Sequence, residues 1–598
     1  MTTKQFIGSA RRIIFRTGHA NRIIVSKESR CLSSKPSYYH KPGSEPLKQI
    51  SIGQLLDKAV EKWPDKPFIF SKHQNSALTF SETKAQVDLL AQGLLDIGLS
   101  PGDHLGIWGV NTNEWVLTLL AAAKVGIVSV TMNPAYEPPE VKFCIGKTNM
   151  KGLVFDSTFR DKNLYEVMTK LVPEMTQCEP CTPFRSKEFP DLTHLIVFSD
   201  CDETLEGTYR LDDVFEAGKG NEDRRLVAEN LIEAEDPWNI QFTSGTTGDP
   251  KAAVMSHFAN VNNSYFVGKR MGLHLKNHVI LCQVPFFHVF GSVLGILGAL
   301  NHGAALVLPG PLYHPDESVQ AVIDYKCTVL YGTPTMYVDL CAEVEKRSAK
   351  EQEALKKQGV EVALTAGALC SPVLLKKMHD TFELRVFSLY GMTEAGPCAF
   401  QSQVTDTEEQ ITTTVGSVAE NVEIKVVDSE GRMVPMGQPG ECWFKTYACM
   451  IRYWDDEQKT REALTETRWL KSGDQFILTE DGFGKVVGRV KDLIIRGGEN
   501  IAPKEVEEHL EKHPSVREVH VYAVSDERLG EDVAVSIRLK EGTTWSEDEL
   551  RAFCKGQIAH FKIPKYIEFV EDFPKTTSGK IQKFKLREML EKKLGRKS

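Results

Sequence analysis

Between residues 241 and 251 the chain reads Gln-Phe-Thr-Ser-Gly-Thr-Thr-Gly-Asp-Pro-Lys. The hydroxyls of Thr243, Ser244, Thr246 and Thr247, spaced by the flexible Gly245 and Gly248, can wrap hydrogen-bond donors around phosphate oxygens. Lys251 adds a positive charge. A loop that only connects two elements has no need of so many hydroxyls beside a lysine. The stretch is not a Walker A loop, because Asp249 and Pro250 separate the last glycine from the lysine where Gly-Lys-Ser/Thr is required. A P-loop kinase or ATPase is therefore excluded.

Four further segments carry residues suited to nucleotide chemistry. Tyr390-Gly-Met-Thr-Glu-Ala-Gly396 presents Thr393 and Glu394 between glycines, and Trp469-Leu-Lys-Ser-Gly-Asp474 ends on a carboxylate. The run from Gly488 to Ile501 contains Arg489, Lys491, Gly497 and Gly498, and Pro574-Lys-Thr-Thr-Ser-Gly-Lys580 lies near the C-terminus. Taken singly, Glu394, Asp474, Arg489 and Lys580 are ordinary solvated charges. Their recurrence together, in order, is what carries a resemblance.

In that order the five segments resemble the signature motifs of the adenylate-forming enzymes, which include acyl-CoA synthetases, beetle luciferases and peptide-synthetase adenylation domains. The likeness covers nearly all of the chain after residue 50 and is strongest to the acyl-CoA synthetase branch. One departure stands out: Ser472 occupies a position where threonine is commoner. The resemblance implies an ATP-dependent ligase that converts a carboxylic acid to its adenylate, releasing pyrophosphate, and passes the acyl group to coenzyme A. By the same resemblance, residues 243–251 hold the β- and γ-phosphates, Thr393 bonds the α-phosphate and Glu394 ligates Mg²⁺, a hard cation that prefers oxygen. Asp474 and Arg489 serve the ribose, and Lys580 bridges the substrate carboxylate and the α-phosphate. Lys491 is implied as the hinge of a mobile C-terminal lobe, and Gly497 and Gly498 as the backbone past which pantetheine enters. His288, within Pro285-Phe-Phe-His-Val-Phe290, matches an aromatic position lining the acyl site. Phe286, Phe287, Val289 and Phe290, with Tyr331 and Gly367, would complete an apolar pocket suited to an alkyl chain. The implied substrate is a medium-chain fatty acid.

Competing acids leave different marks. Amino-acid-adenylating domains usually place an aspartate near the position of His288, and residues 284–295 contain no acid. Aryl acids and a luciferase-like oxygenase share the scaffold and stay open as alternatives. A catalytically silent, nucleotide-binding regulator would lack Lys580 or Glu394, and both are present.

These residues need elements to position them. Apolar residues at helical spacing over residues 89–97 and 114–124 alternate with short strand-like runs at 104–108 and 127–131. A second such series begins at Val279, continuing through an apolar helix, a strand at 304–308, a helix at 317–325 and a strand at 327–331. Alternation of this kind specifies α/β architecture, with parallel sheets covered by helices on both faces. Between 411 and 490 short strands and frequent Gly and Pro turns indicate a small β unit. Residues 503–512, 517–524, 532–539 and 546–558 read as helix, strand, strand, helix, an α+β lobe of its own. The expected fold is that of the adenylate-forming enzymes, an N-terminal domain over 48–489 and a mobile C-terminal domain over 490–598.

The chain has 598 residues, too many for one compact core. A net charge of −9 disfavours nucleic-acid binding, which needs a basic surface. Thirteen cysteines in so long a chain make no disulfide framework. Cys178 and Cys181 have no partner pair at metal-ligand spacing. Residues 1–35 differ from the rest: Lys4, Arg11, Arg12, Arg16, Arg22, Lys27, Arg30 and Lys35 face a single acid, Glu28. Phe6, Ala10, Ile13 and Ile14 lie near one helical face. This is the composition of a transit peptide and predicts delivery to the mitochondrial matrix. The apolar run 289–300 is too short to span a bilayer and reads as a buried helix.

Overall fold

Strand His104–Trp108 is buried along its whole length, as an interior strand covered on both faces must be. It lies in the computed structural model of the chain, which describes residues 35–198, 204–220, 222–243, 250–366, 370, 372–489, 492–496, 499–526, 529–555, 557–558, 560–575 and 581–596. Residues 1–34 of the expected presequence thus fall outside the described residues.

Around that strand an eight-stranded sheet is ordered Tyr209–Arg210, His194–Val197, Gly152–Phe155, His104–Trp108, Val128–Met132, Pro237–Thr243, Lys251–Ser256, Arg452–Tyr453. Its first six strands run parallel; the last two join antiparallel at one edge. A nine-stranded sheet holds the second series, with Val279–Cys282, Val329–Gly332, Val362–Thr365 and Arg385–Tyr390 parallel at its centre. Between these sheets lies the largest apolar core, which includes Trp115, Trp238, Phe286 and Phe387, all fully buried.

The 411–490 region forms the expected β unit, an antiparallel sheet ordered Tyr38–Lys41, Val422–Val427, Gly440–Thr446, Leu470–Leu478, Gly484–Arg489. Its first strand comes from the far end of the chain. Strand Leu470–Leu478 alternates strictly buried and half-buried, the pattern of a sheet with one face on a core. In the C-terminal region, strands Val516–Asp526 and Gly530–Leu539 pair along almost their whole length, flanked by helices Pro503–Leu510 and Glu547–Cys554.

Two helices depart from the sequence reading. The helix expected over 546–558 stops at Cys554, where Lys555 turns extended and bridges to Ile558. The apolar run 289–300 is buried throughout but is not one regular helix. Residues Phe290–Leu297 form a wide π-helical stretch, followed by α-helix Gly298–His302. A side chain at Gly291 would stand 2.4 Å from the carbonyl oxygen of Pro285, so only glycine lets this element start so close to the preceding loop. Among the described residues no helix is long and apolar enough to cross a membrane.

Candidate active site

Two antiparallel strands flank the hydroxyl-rich segment. Strand Pro237–Thr243 runs into it and strand Lys251–Ser256 runs out, with Thr243 and Lys251 as register partners across the mouth. Both ends of the segment are therefore fixed to the sheet. Ser244, Gly245, Thr246, Thr247, Gly248 and Asp249 lie outside the described residues; Pro250 and Lys251 re-enter half-buried.

Strand Arg385–Tyr390 of the other sheet delivers Thr393 and Glu394. Past it the chain makes a tight 3-10 turn, Thr393–Ala395, ended by Gly396 at φ +90°. Glycine is required there twice over. The backbone is left-handed, and a Cβ would meet the carbonyl oxygen of Ala448 at 2.6 Å. The turn buries Glu394 to 5% exposure and points its carboxylate at the end of this strand pair, where Oε1 accepts from the Thr243 hydroxyl at 3.2 Å. The two sheets thus meet at Thr243 and Glu394, beyond the carboxyl ends of their strands, where open α/β sheets bind ligands.

A third group, unmarked by any motif, completes this contact. The hydroxyl of Tyr453 donates to the same Glu394 oxygen at 2.8 Å. Tyr453 belongs to the two-residue strand Arg452–Tyr453, which pairs with Lys251–Ser256 at the sheet edge. Burial, reinforced by the Glu394 charge, raises its phenol far above the ordinary range, so it remains a donor. Its ring also lies 5.1 Å from the Lys251 ammonium, and the Met450 amide donates to the Glu394 carbonyl.

Asp474 is held by a similar device. It is 8% exposed and accepts a 2.6 Å hydrogen bond from the Tyr390 hydroxyl. Burial first, then the Asp474 charge, keeps that phenol protonated, while its ring stacks on Phe476 with centroids 5.2 Å apart. Arg489 is the cross-strand partner of Asp474, which puts both ribose candidates at one point of the β unit. Ser472 accepts from the Asp474 backbone amide at 3.0 Å, a bond that needs only a hydroxyl. Its departure from threonine is thereby explained. Tyr390 and Glu394 bracket three residues, so the partner of Asp474 and the buried carboxylate are separated by no more than about 14 Å of chain.

The segment around His288 is clamped from outside. The Asn111 side chain donates to the Val284 carbonyl at 3.0 Å and accepts from the Phe286 amide at 2.9 Å, and the Thr131 hydroxyl donates to the Phe287 carbonyl. His288 Nδ1 accepts from the Phe290 amide at 3.2 Å. Phe286 turns into the core against Trp115, whereas Phe290 packs on Tyr331 with ring centroids 5.5 Å apart. Gln283 sits beside this segment and beside Gly332, 4% exposed, with neither end of its amide bonded to a described residue. Such a group is costly to bury unless water or a ligand meets it. Gly367 lies outside the described residues.

The remaining candidates, Lys491, Gly497, Gly498 and Lys580, also lie outside the described residues, but their flanks are placed. Strands Ile494–Arg496 and Glu499–Ile501 pair antiparallel, with Arg496 opposite Glu499, on either side of positions 497–498. Arg496 is anchored by a 2.6 Å bond from Nε to Asp532. Lys575 and Ile581 bridge one another, on either side of residues 576–580.

The strand pair at Thr243 and Lys251, the buried Glu394 beside it and the Tyr390–Asp474 bond set the geometry, and the comparisons give the family. Residues 56–454 match the AMP-binding enzyme family and residues 505–580 the AMP-binding enzyme C-terminal domain. The chain is 40% identical over 563 residues to the medium-chain acyl-CoA ligase ACSF2, mitochondrial, of Danio rerio, covering 94% of this chain and 91% of the relative. It is 39% identical to the Homo sapiens protein of the same name, covering 96% and 93%. Its fold superimposes on the ATP-bound crystal structure of MatB from Rhodopseudomonas palustris with a TM-score of 0.76 at 25% identity, covering 90% of this chain and 99% of that one. The chain belongs to the AMP-binding enzyme family.

Proposed function

We infer that this protein is an AMP-forming acyl-CoA ligase whose acid is a medium-chain fatty acid and whose compartment is the mitochondrion. The observation that carries the nucleotide half is the convergence of Thr243 and Tyr453 on Glu394, a few residues from the Tyr390–Asp474 bond. The chain length and the compartment rest on the names of the relatives, and the basic, acid-poor residues 1–35 support the compartment.

In the first step a carboxylate oxygen of the fatty acid attacks the α-phosphorus of ATP. The bond from that phosphorus to the bridging oxygen breaks and pyrophosphate leaves. Negative charge builds on the α-phosphate and the departing oxygen, and preset donors and cations stabilise it without reorganising. The segment 243–251 holds the β- and γ-phosphates, Thr393 donates to the α-phosphate, and Lys580 spans the carboxylate and that phosphate. Asp474 accepts from the ribose hydroxyls with Arg489 beside it. Mg²⁺ suits Glu394, because it binds through one or two carboxylates plus substrate phosphates rather than an all-protein cage. Among the described residues no group of three acidic, His or Cys side chains forms such a cage. When bound, the ion neutralises phosphate charge.

In the second step the sulfur of coenzyme A attacks the acyl carbonyl, the bond to the AMP oxygen breaks, and AMP leaves. A division at 489/490, with Lys491 as hinge, lets the C-terminal domain withdraw Lys580 and bring positions 497–498 to the adenylate. Gly497 and Gly498 admit pantetheine because they carry no side chain. His288 borders the acyl chain.

Pyrophosphate exchange across acids from acetate to palmitate tests the reading. A maximum at medium length is expected, and a maximum at either extreme overturns the chain-length assignment. A fusion of residues 1–40 to a reporter should enter mitochondria; diffuse cytosolic signal refutes the targeting role.

A further inference from the structure

A cavity of about 320 Å³ lies between helix Ile52–Lys62 and helix Gly298–His302, and none of the adenylation candidates lines it. Its floor is apolar. Leu55 and Ala59 lie on one face of the first helix, Leu300 comes from the second, and Ile50 and Trp63 flank them.

The same cavity is lined by three lysines. Lys58 and Lys62 are four residues apart on one helix and so share a face. Lys48 enters from the preceding segment, where its ammonium donates to Asn301 Oδ1 at 2.7 Å and sits 3.6 Å from the Tyr265 ring centroid. Asn301 has no freedom to turn away. Both hydrogens of its amide are committed, to the Val261 carbonyl at 3.0 Å and the Ser264 hydroxyl at 3.1 Å. None of the three lysines has a described carboxylate within 4.0 Å. Burial, then the charges of Lys62 and Lys58, hold the Lys48 amine down to about 8, with Glu45 the one charge opposing them.

An apolar floor beneath lysines that touch no carboxylate has two needs that one molecule can meet, a molecule with an alkyl tail and an anionic head. The volume is at the small end for ligand cavities, enough for one chain and too little for a nucleotide-bearing thioester as well. We propose that this groove binds a free medium-chain fatty acid, its carboxylate beside Lys48 and Lys62 and its chain along Leu55, Ala59 and Leu300, at a site separate from the adenylation centre. The ligand class coincides with that of the proposed substrate, but the argument rests on the groove alone.

The test uses the full chain and decane-1-sulfonate, an anionic amphiphile that is not a carboxylic acid and cannot be converted to a thioester. Titration is followed by the fluorescence of Trp63, taken as the part of the signal absent in Trp63→Phe, and by calorimetry at pH 8 in buffers of different ionisation enthalpy. Saturable binding is expected, with proton uptake as Lys48 regains its charge beside the sulfonate. The double variant Lys48→Met/Lys62→Met should lose affinity about tenfold or more while keeping its pyrophosphate-exchange rate. Lys62→Glu, a change at an exposed position, should weaken binding in the same direction should the double variant not fold. Decanoate should give the same Trp63 signal. Unchanged affinity in the variants, or no proton uptake, overturns the proposal. An equal response to inorganic phosphate overturns it in favour of an anion site without a tail. A Trp63 response to anionic vesicles but not to the monomeric amphiphile overturns it in favour of a membrane surface. Failure of pyrophosphate exchange with groove binding intact would sink the ligase reading and leave this one standing.

Discussion

Tyr453 and Glu394 are joined by a 2.8 Å hydrogen bond from phenol to carboxylate, across 59 positions of sequence and between two sheets. The bond fixes the orientation of the carboxylate to which the proposed function gives Mg²⁺. Tyr453→Phe removes the donor and keeps the ring. A hydrogen bond to a charged group is worth roughly 1.5–3 kcal/mol, so adenylation should slow by about tenfold or more with little change in thermal stability. Single-turnover pyrophosphate release measures the first and a melting curve the second. An unaltered rate would show that Thr243 alone orients Glu394.

Ser472 makes a narrower prediction. Its hydroxyl accepts from the Asp474 amide, so Ser472→Thr should leave the KM for ATP within about twofold, and Ser472→Ala should raise it about fivefold. Asp474→Asn should raise it further, because Tyr390 would then face a neutral amide. Equal KM values in all four proteins would place the ribose elsewhere.

The two half-reactions should separate by mutation. Lys580→Ala is expected to slow adenylation by about 100-fold or more, while thioester formation from supplied acyl-AMP continues. Gly498→Leu should do the reverse. If both variants lose the same half-reaction, the proposed rotation about Lys491 is wrong.

Acid stability follows from two histidines. His257 is fully buried, and its Nδ1 accepts from the Ile52 amide at 3.2 Å, which only a neutral ring can do. Burial pushes it down to about 3, and burial pushes His302 to about 3 as well. In the unfolded chain both take up protons near pH 6.5. Between that pH and about 3 the unfolded state therefore binds more protons, and stability falls as pH falls through the window. The melting temperature should drop from pH 7.5 to pH 5, and His257→Gln should show a shallower dependence whatever its stability at pH 7.5. Parallel pH profiles would exclude His257 as a source.

How far the sequence could be read depended on how local each signal is. Strand 104–108 was legible because a doubly covered strand is a short continuous apolar run, and helix 114–124 because its caps and periodicity are its own. The segment 243–251 announced itself by composition. Tyr453 did not, since it reaches the site through a two-residue strand whose partner lies two hundred positions earlier. No periodicity marks so short an element. Gln283 was hidden for another reason: a polar residue at the end of an apolar strand looks like a boundary, and only the three-dimensional packing shows its amide enclosed. The wide turns of Phe290–Leu297 were equally silent, because π and α windings bury the same residues.

Strand Tyr38–Lys41 pairs with Val422–Val427, nearly four hundred positions later. Whatever emerges first, from a ribosome or through a translocation pore, therefore carries a strand with no mate until most of the polypeptide has followed. Strand Lys251–Ser256 likewise keeps one margin bare until Arg452 and Tyr453 arrive. A nascent molecule of this kind exposes sticky backbone for a long interval. The contact of Tyr453 with Glu394 therefore cannot form until residue 453 has been made, so this carboxylate is oriented late.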